Sequence, residues 1–204
     1  MTIPTLPYPR IPIILASASP RRKQLLQQTG FQFTAKPAGI HEDFTLDLAP
    51  ADFARHYARE KASCLAERYP DELIVGADTI VVLHNRILGK PKDRGTAIEM
   101  LSSLSGRTHQ VITAVALTWW GKQFESVFHE STDVTFRKLA QNEIEYYVDR
   151  FAPFDKAGSY GIQDWFALNV SRISGCFYNV VGFPLSAFFH HYRSMCDSLG
   201  ITVK

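Results

Sequence analysis

The sequence predicts an α/β fold, α+β in places, built on a central mixed β-sheet. Segments with helical spacing of apolar residues alternate with β-branched runs, the pattern of helices packed on a sheet. Short polar turns at His84-Asn85-Arg86 and Gly121-Lys122 join neighbouring β-rich runs as hairpins, so some strands run antiparallel. A hydrophobic content of 46% beside 21% charged residues suits a sizeable core in a 204-residue chain.

The elements follow in order. Ile11 to Ala16 is a short apolar run and reads as a strand. Ser19 and Pro20 then start a helix, Ser as the cap and Pro in the first turn, and Gly30 stops it. Phe31 to Ala35 reads as a second strand and Pro37 to Asp47 as a polar loop. Pro50 to Arg68 is a long helix, with Phe53, Tyr57, Lys61 and Leu65 on one face. Leu73 to Leu83 is an apolar, β-branched strand that Gly76-Ala77-Asp78-Thr79 is expected to interrupt. Arg94 to Leu104 and Gln141 to Phe151 read as helices, and Thr108 to Thr118 and Phe124 to Phe136 as strands. Asp155 to Gln163 is a structured loop, Leu168 to Ile173 a strand and Pro184 to Leu199 a closing helix. The chain is expected to form one domain over 1–204, with a main lobe of about 11–93 plus 152–199 and a second lobe of about 94–151.

Composition excludes several classes. The formal net charge is +2 and no run of five like charges occurs, so general nucleic-acid binding is not expected. No stretch of about eighteen apolar residues is present, so no membrane span is expected. Met1 to Pro12 lacks the basic start and apolar run of a secretory signal. Cys64, Cys176 and Cys196 are odd in number and far apart, which fits no disulfide framework or zinc box and favours a reducing, cytoplasmic setting. Trp119-Trp120 beside a turn is a candidate exposed patch and dimer contact.

Chemistry concentrates in a few places. At Ser17-Ala18-Ser19-Pro20-Arg21-Arg22 a strand delivers the chain to a helix N-terminus, whose free N–H groups and dipole attract anions. The serines add hydroxyl donors and the arginines add permanently charged, bidentate ones. Two readings stand on spacing alone: a phosphate site, or a capped helix with a solvated Arg pair. Asp78 lies within an apolar run, where an ionised carboxylate costs several kcal/mol unless a metal, a catalytic role or backbone at a strand bulge compensates it. Lys61 either snorkels to solvent or points into a pocket. Lys90 sits in the stiff Gly89-Lys90-Pro91 loop, and Glu42 follows Gly39-Ile40-His41. In Asp155 to Gln163, small residues let backbone approach a ligand, Lys156 brings charge, and Gln163 can both donate to and accept from a base edge. His109, His190 and His191 fit no metal spacing and read as structural or solvated.

These segments resemble the Maf family. The matches are Ser17-Ala18-Ser19-Pro20-Arg21-Arg22, Arg59-Glu60-Lys61-Ala62, Gly76-Ala77-Asp78-Thr79, Gly89-Lys90-Pro91, Leu104-Ser105-Gly106, His109-Gln110-Val111, Asp155-Lys156-Ala157-Gly158, Tyr160-Gly161-Ile162-Gln163 and Asn179-Val180-Val181-Gly182. The resemblance implies a Maf/ITPase-like two-lobed fold with a twisted mixed sheet and a deep cleft, often dimeric. It implies hydrolysis of a nucleoside triphosphate to monophosphate and pyrophosphate with a divalent metal, Mg²⁺ or Mn²⁺. By position Asp78 matches the proton acceptor and Glu42 an acidic residue near the metal, and Asp78 and Glu42 are expected to hold the ion. Arg21, Thr79 and Gln163 fall on the positions that choose the substrate. Arg22, Lys61, Lys90 and Lys156 fall on the basic pocket positions, and Ser17 and Ser19 are expected to add phosphate-binding hydroxyls there. The pair Asp78-Thr79 resembles the subgroup acting on dTTP and UTP, whose role is the removal of canonical or modified pyrimidine nucleotides. A sister subgroup acting on 7-methyl-GTP carries Asp-Gln there, and a nucleotide-binding regulator of septum formation is a further alternative. Three features depart from the family: a longer N-terminus, Asp164-Trp165-Phe166-Ala167 where glycines are usual, and Phe183 in place of Leu.

Overall fold

The computed structural model describes residues 8–203. Most of the Met1 to Pro12 segment and Lys204 lie outside them. The elements are β1 (Ile13–Leu15), α1 (Pro20–Gln28), β2 (Thr34–Ala35), α2 (Pro50–Ala66), β3 (Leu73–Leu83) and β4 (Arg86–Leu88). There follow α3 (Arg94–Leu104), β5 (Thr108–Trp119), β6 (Phe124–Phe136), α4 (Gln141–Phe151), β7 (Val170–Ser174), α5 (Phe177–Val181) and α6 (Leu185–Ser198). Among the described residues no helix is long and apolar enough to cross a membrane.

One mixed sheet of seven described strands organises the chain, in the order β2-β1-β3-β5-β6-β7, with β4 also on β3. The fold class is therefore α/β with a mixed sheet, as the alternation of patterns implies. β3 is its axis. Its first residues, Leu73–Val75, pair in parallel with Ile13–Leu15 of β1, whereas Val81–Leu83 pair in antiparallel with Arg86–Leu88 of β4 on the same edge. The other edge pairs with β5 without a break from Ile74 to Val82.

That continuity corrects one expectation. β3 is not interrupted at Gly76-Ala77-Asp78-Thr79, and no bulge accommodates Asp78. Gly and Asp disfavour strands locally, but the long ladder to β5 overrides propensity. Gly76 has a packing reason: a Cβ there would lie 2.2 Å from the Ala58 carbonyl oxygen and 2.8 Å from the Ala62 nitrogen. Only glycine lets α2 approach β3 this closely. The second strand is also shorter than Phe31 to Ala35. Phe31 leaves the ladder to stack its ring on Tyr8, at 4.4 Å between centroids, and to meet Phe188 and Tyr192 edge-on.

Alternation along β3 separates two cores. Ile74, Ile80 and Val82 face α2, against Phe53, Ala54, Tyr57, Ala58 and Ala62. Leu73, Val75 and Ala77 face the opposite way, against Leu25 and Leu26 of α1 and Phe188 and Tyr192 of α6. Phe183, Phe188 and Tyr192 thus lie in this core. A third cluster joins α3 and α4 to the end of β3 through Leu101, Leu104, Ile144, Tyr147 and Val148. The Trp pair divides: Trp119 ends the buried strand β5, whereas Trp120 opens the turn beyond it and is exposed.

Candidate functional site

Over residues 76–80 one edge of β3 has left β1 and not yet met β4. The gap lies beside the carboxyl end of β1, from which Ser17 and Ser19 lead into α1. Openings at strand carboxyl ends where the connectivity changes are where open α/β sheets accommodate ligands. A cleft of about 560 Å³ occupies this place, a size that accommodates a nucleotide-sized ligand.

Period-two geometry puts Asp78 and Thr79 on opposite faces of β3, so each serves a different wall. On the α2 side, Asp78 is 2% exposed. Its Oδ1 accepts from Lys61 Nζ at 2.7 Å, and the same ammonium donates to Glu42 Oε1 at 2.6 Å. Lys61 therefore points into the cleft rather than snorkelling to solvent. Asp78 Oδ2 is buried with no hydrogen-bond partner. Burial pushes the Asp78 carboxyl above its ordinary range, against the pull of Lys61. Burial would also raise Glu42, but it is the shallower acid, and the charge and hydrogen bond of Lys61 hold it below its usual value.

On the other face, Arg22 is held from three directions. Its Nη2 donates to Thr79 Oγ1 at 2.8 Å, its Nε to the Gly182 carbonyl at 2.9 Å, and its Nη1 to Ser17 Oγ at 3.3 Å. Burial lowers its pKa, and the charges of Asp78 and Glu42 oppose that. Thr79 Oγ1 lies 3.0 Å from Thr113 Oγ1, which donates to the Asn179 carbonyl at 3.0 Å. Because Thr113 directs its one proton at a carbonyl, the Thr79 proton goes to Thr113 or to Gly182 O at 3.4 Å. The Thr79 hydroxyl is thus engaged within the protein as donor and as acceptor.

The serines behave as acceptors. Ser17 Oγ also receives the Ser19 N–H at 3.2 Å, and Ser19 caps α1 by accepting from Arg22 N at 3.4 Å. At the rim, Asp155 joins Arg21 to Lys156, with 2.8 Å to each. The two cations keep the Asp155 carboxyl below its usual range despite partial burial. The loop carrying Lys156 docks on the loop carrying Lys90 through Gly158 N to Gly89 O at 3.0 Å. Gly158 adopts φ +66°, and a Cβ there would press within 3.0 Å of Val81. Lys90 and Gln163 are exposed at the mouth.

All eleven residues singled out from the sequence line this one cleft: Ser17, Ser19, Arg21, Arg22, Glu42, Lys61, Asp78, Thr79, Lys90, Lys156 and Gln163. Sequence reasoning missed the roles of Asp155, Thr113 and the Gly182 carbonyl. Asp155 lay within a loop already marked, but its pairing with Arg21 spans 134 positions and had no local signal. Of the histidines, His109 is buried, donating to or accepting from Tyr160 Oη at 2.8 Å, and burial lowers it to about 4, so it is neutral and structural.

Residues 12–195 match the Maf-like protein family model. The chain belongs to this family. A Bacteroides thetaiotaomicron dTTP/UTP pyrophosphatase is 43% identical over 188 residues, 90% of this chain and 95% of that protein. A Halalkalibacterium halodurans protein of the same name is 49% identical over 175 residues, covering 86% and 91%. The Staphylococcus aureus Ham1 structure is a more distant likeness, with TM-score 0.45 and 13% identity over 61% of this chain and 71% of that one.

A divalent ion is compatible with the acidic wall of this Maf cleft. Asp78 offers an unpartnered buried oxygen and Glu42 a second carboxylate on the same ammonium. No group of three or more His, Cys, Asp or Glu suited to a metal occurs among the described residues. Carboxylate oxygens are the donors a hard divalent ion takes, one or two of them sufficing where water and substrate phosphates complete the shell.

Proposed function

We propose that this protein hydrolyses dTTP and UTP to the nucleoside monophosphate and pyrophosphate, clearing canonical or modified pyrimidine nucleotides in the cytoplasm. The observation that carries the reaction class is buried Asp78, with an unpartnered Oδ2, in the lining of a cleft that also holds Arg22, Lys61, Lys90 and Lys156. The names of the relatives support the pyrimidine substrates, and Asp78-Thr79 agrees with them.

In the proposed reaction the N-terminus of α1, Ser17, Ser19 and Arg22 receive the phosphates, and Lys61, Lys90 and Lys156 spread further positive charge along them. Asp78 accepts a proton from water as the water oxygen attacks the α-phosphorus. The bond from the α-phosphorus to the bridging oxygen breaks, and pyrophosphate leaves with that electron pair. Burial makes Asp78 the stronger base of the two acids. Five basic side chains line the cleft against four acidic ones, Glu42, Asp78, Asp155 and Asp164, too small an excess for a triphosphate. When bound, a divalent ion held by Asp78 and Glu42 supplies the missing charge neutralisation at the phosphates. Arg21, Thr79 and Gln163 choose the base, Gln163 by direct contact. The lobe division of 11–93 plus 152–199 against 94–151, with Val111 alone reaching the cleft from the second lobe, and a homodimer without general nucleic-acid binding complete the reading.

The test is pyrophosphate release by the purified protein with Mg²⁺ or Mn²⁺ across dTTP, UTP, other common triphosphates and 7-methyl-GTP. Release from dTTP and UTP above the rest is expected. Binding without release would leave a nucleotide-binding regulator, and preference for 7-methyl-GTP would move the protein to the sister subgroup.

A further inference from the structure

Among the described residues no hydrogen bond secures the Gln163 amide, so its aim depends on the backbone that carries it. That backbone is held at the residues flanking the Ile162-Gln163 tip. The Tyr147 hydroxyl, rising from α4, accepts from Gly161 N at 3.0 Å and donates to Asp164 Oδ2 at 3.0 Å. One oxygen thus joins both sides of the tip. Asp164 Oδ1 accepts in turn from Phe166 N at 3.0 Å, which starts the following turn. The fit is close: a Cβ on Gly161 would lie 2.7 Å from Asp164 Oδ2 and 2.9 Å from Lys156 Cε.

The surroundings make Tyr147 rigid. It is fully buried, and its ring packs on Phe151, Phe166 and Trp165. Trp165 also meets Tyr146 edge-on. The segment Asp164-Trp165-Phe166, which departs from the family's usual glycines, is therefore the part that engages α4. Burial and the Asp164 carboxylate raise the Tyr147 phenol well above its ordinary value, so it stays a donor.

We propose that Tyr147 and Asp164 are positioning residues that fix Gln163 at the base end of the cleft, so that selectivity among nucleobases depends on α4. The inference rests on the nucleotide reading of the cleft. Neither residue would touch the reacting atoms.

Tyr147→Phe keeps the ring and deletes both hydrogen bonds. It is expected to raise KM for dTTP and to lower the kcat/KM preference for dTTP over dGTP by roughly five- to tenfold, the scale of one to two lost hydrogen bonds. kcat for dTTP is expected to stay within about twofold, since the loop binds rather than reacts. A role confined to stability would lower Tm and leave the preference unmoved. Asp164→Asn, which retains one of the two acceptor oxygens, should shift the preference in the same direction by less. A folded Tyr147→Phe or Asp164→Asn protein with wild-type preference overturns the inference while the proposed function stands. Failure of both variants to fold would assign the pair to the core and overturns it equally. A wild-type protein inactive on dTTP and UTP overturns the proposed function and this inference together.

Discussion

The two faces of β3 treat polar groups in opposite ways. Towards α2, Asp78 is buried with one oxygen bonded to Lys61 and the other unpartnered. Towards α1 and α5, Arg22, Thr79 and Thr113 form a hydrogen-bonded chain that ends on the Asn179 carbonyl. Adjacent residues of one strand thus sit in an electrostatically unfinished environment and a finished one. Buried carboxylates are destabilising unless compensated, so the unfinished side is where reactivity belongs. The finished side holds a guanidinium ready to receive charge without rearrangement.

The strongest way to break this contrast is Asp78→Asn. It preserves shape and removes the proton acceptor, and pyrophosphate release from dTTP is expected to fall by roughly two to four orders of magnitude. Nucleotide binding without added metal should change far less, because Arg22 and the α1 N-terminus are untouched. Near-wild-type turnover would remove Asp78 from the mechanism.

Lys61→Met removes the ammonium that both carboxylates share. Breaking a buried pair on one side is expected to cost about 3 kcal/mol. In a chain of this size that is a Tm loss of roughly 6–12 °C. A thermal melt within about two degrees of wild type would show that Glu42 and Asp78 do not need Lys61 as a counter-charge.

Gly76→Ala separates the faces mechanically. Its Cβ would meet backbone of α2, which cannot swing aside, so the helix must move and carry Lys61 with it. A cost of about 1–3 kcal/mol is expected from overpacking, with turnover reduced. Inhibition by pyrophosphate, which reports the Arg22 side, is expected to persist. Equal loss of turnover and of pyrophosphate binding would mean that the two walls are not independent.

Much of this arrangement was legible in the sequence, and the unread part has a physical cause. Gln141–Phe151 was read to its ends because its long apolar period leaves no alternative. The α1 start was legible because Ser19 and Pro20 act within their own turn. β3 was read as broken because Gly76 and Asp78 are poor strand formers, whereas the ladder to β5 and the approach of α2 decide their conformation. The residues of the cleft were legible as types; their partners were not. Lys61 meets Asp78 across 17 positions, Thr79 meets Thr113 across 34 and Arg21 meets Asp155 across 134. No periodicity reports such contacts.

The finest distinction between the faces lies in the hydroxyl chain. Thr113→Val keeps the side-chain shape and deletes one hydroxyl on a fully buried residue. The Thr79 proton is then left with only the longer contact to Gly182 O, an atom already accepting from Arg22 Nε, while Thr79 Oγ1 still accepts from Arg22 Nη2. The Asn179 carbonyl loses its donor from Thr113 as well. Arg22 should be held less firmly while Asp78, Lys61 and Glu42 are unaffected. A loss of about 1 kcal/mol is expected, read as a roughly fivefold rise in KM for dTTP and in the inhibition constant of pyrophosphate, with kcat within about twofold. A fall in kcat with KM unchanged would place the hydroxyl chain in the chemical step, and the division of labour between the two faces of β3 would not hold.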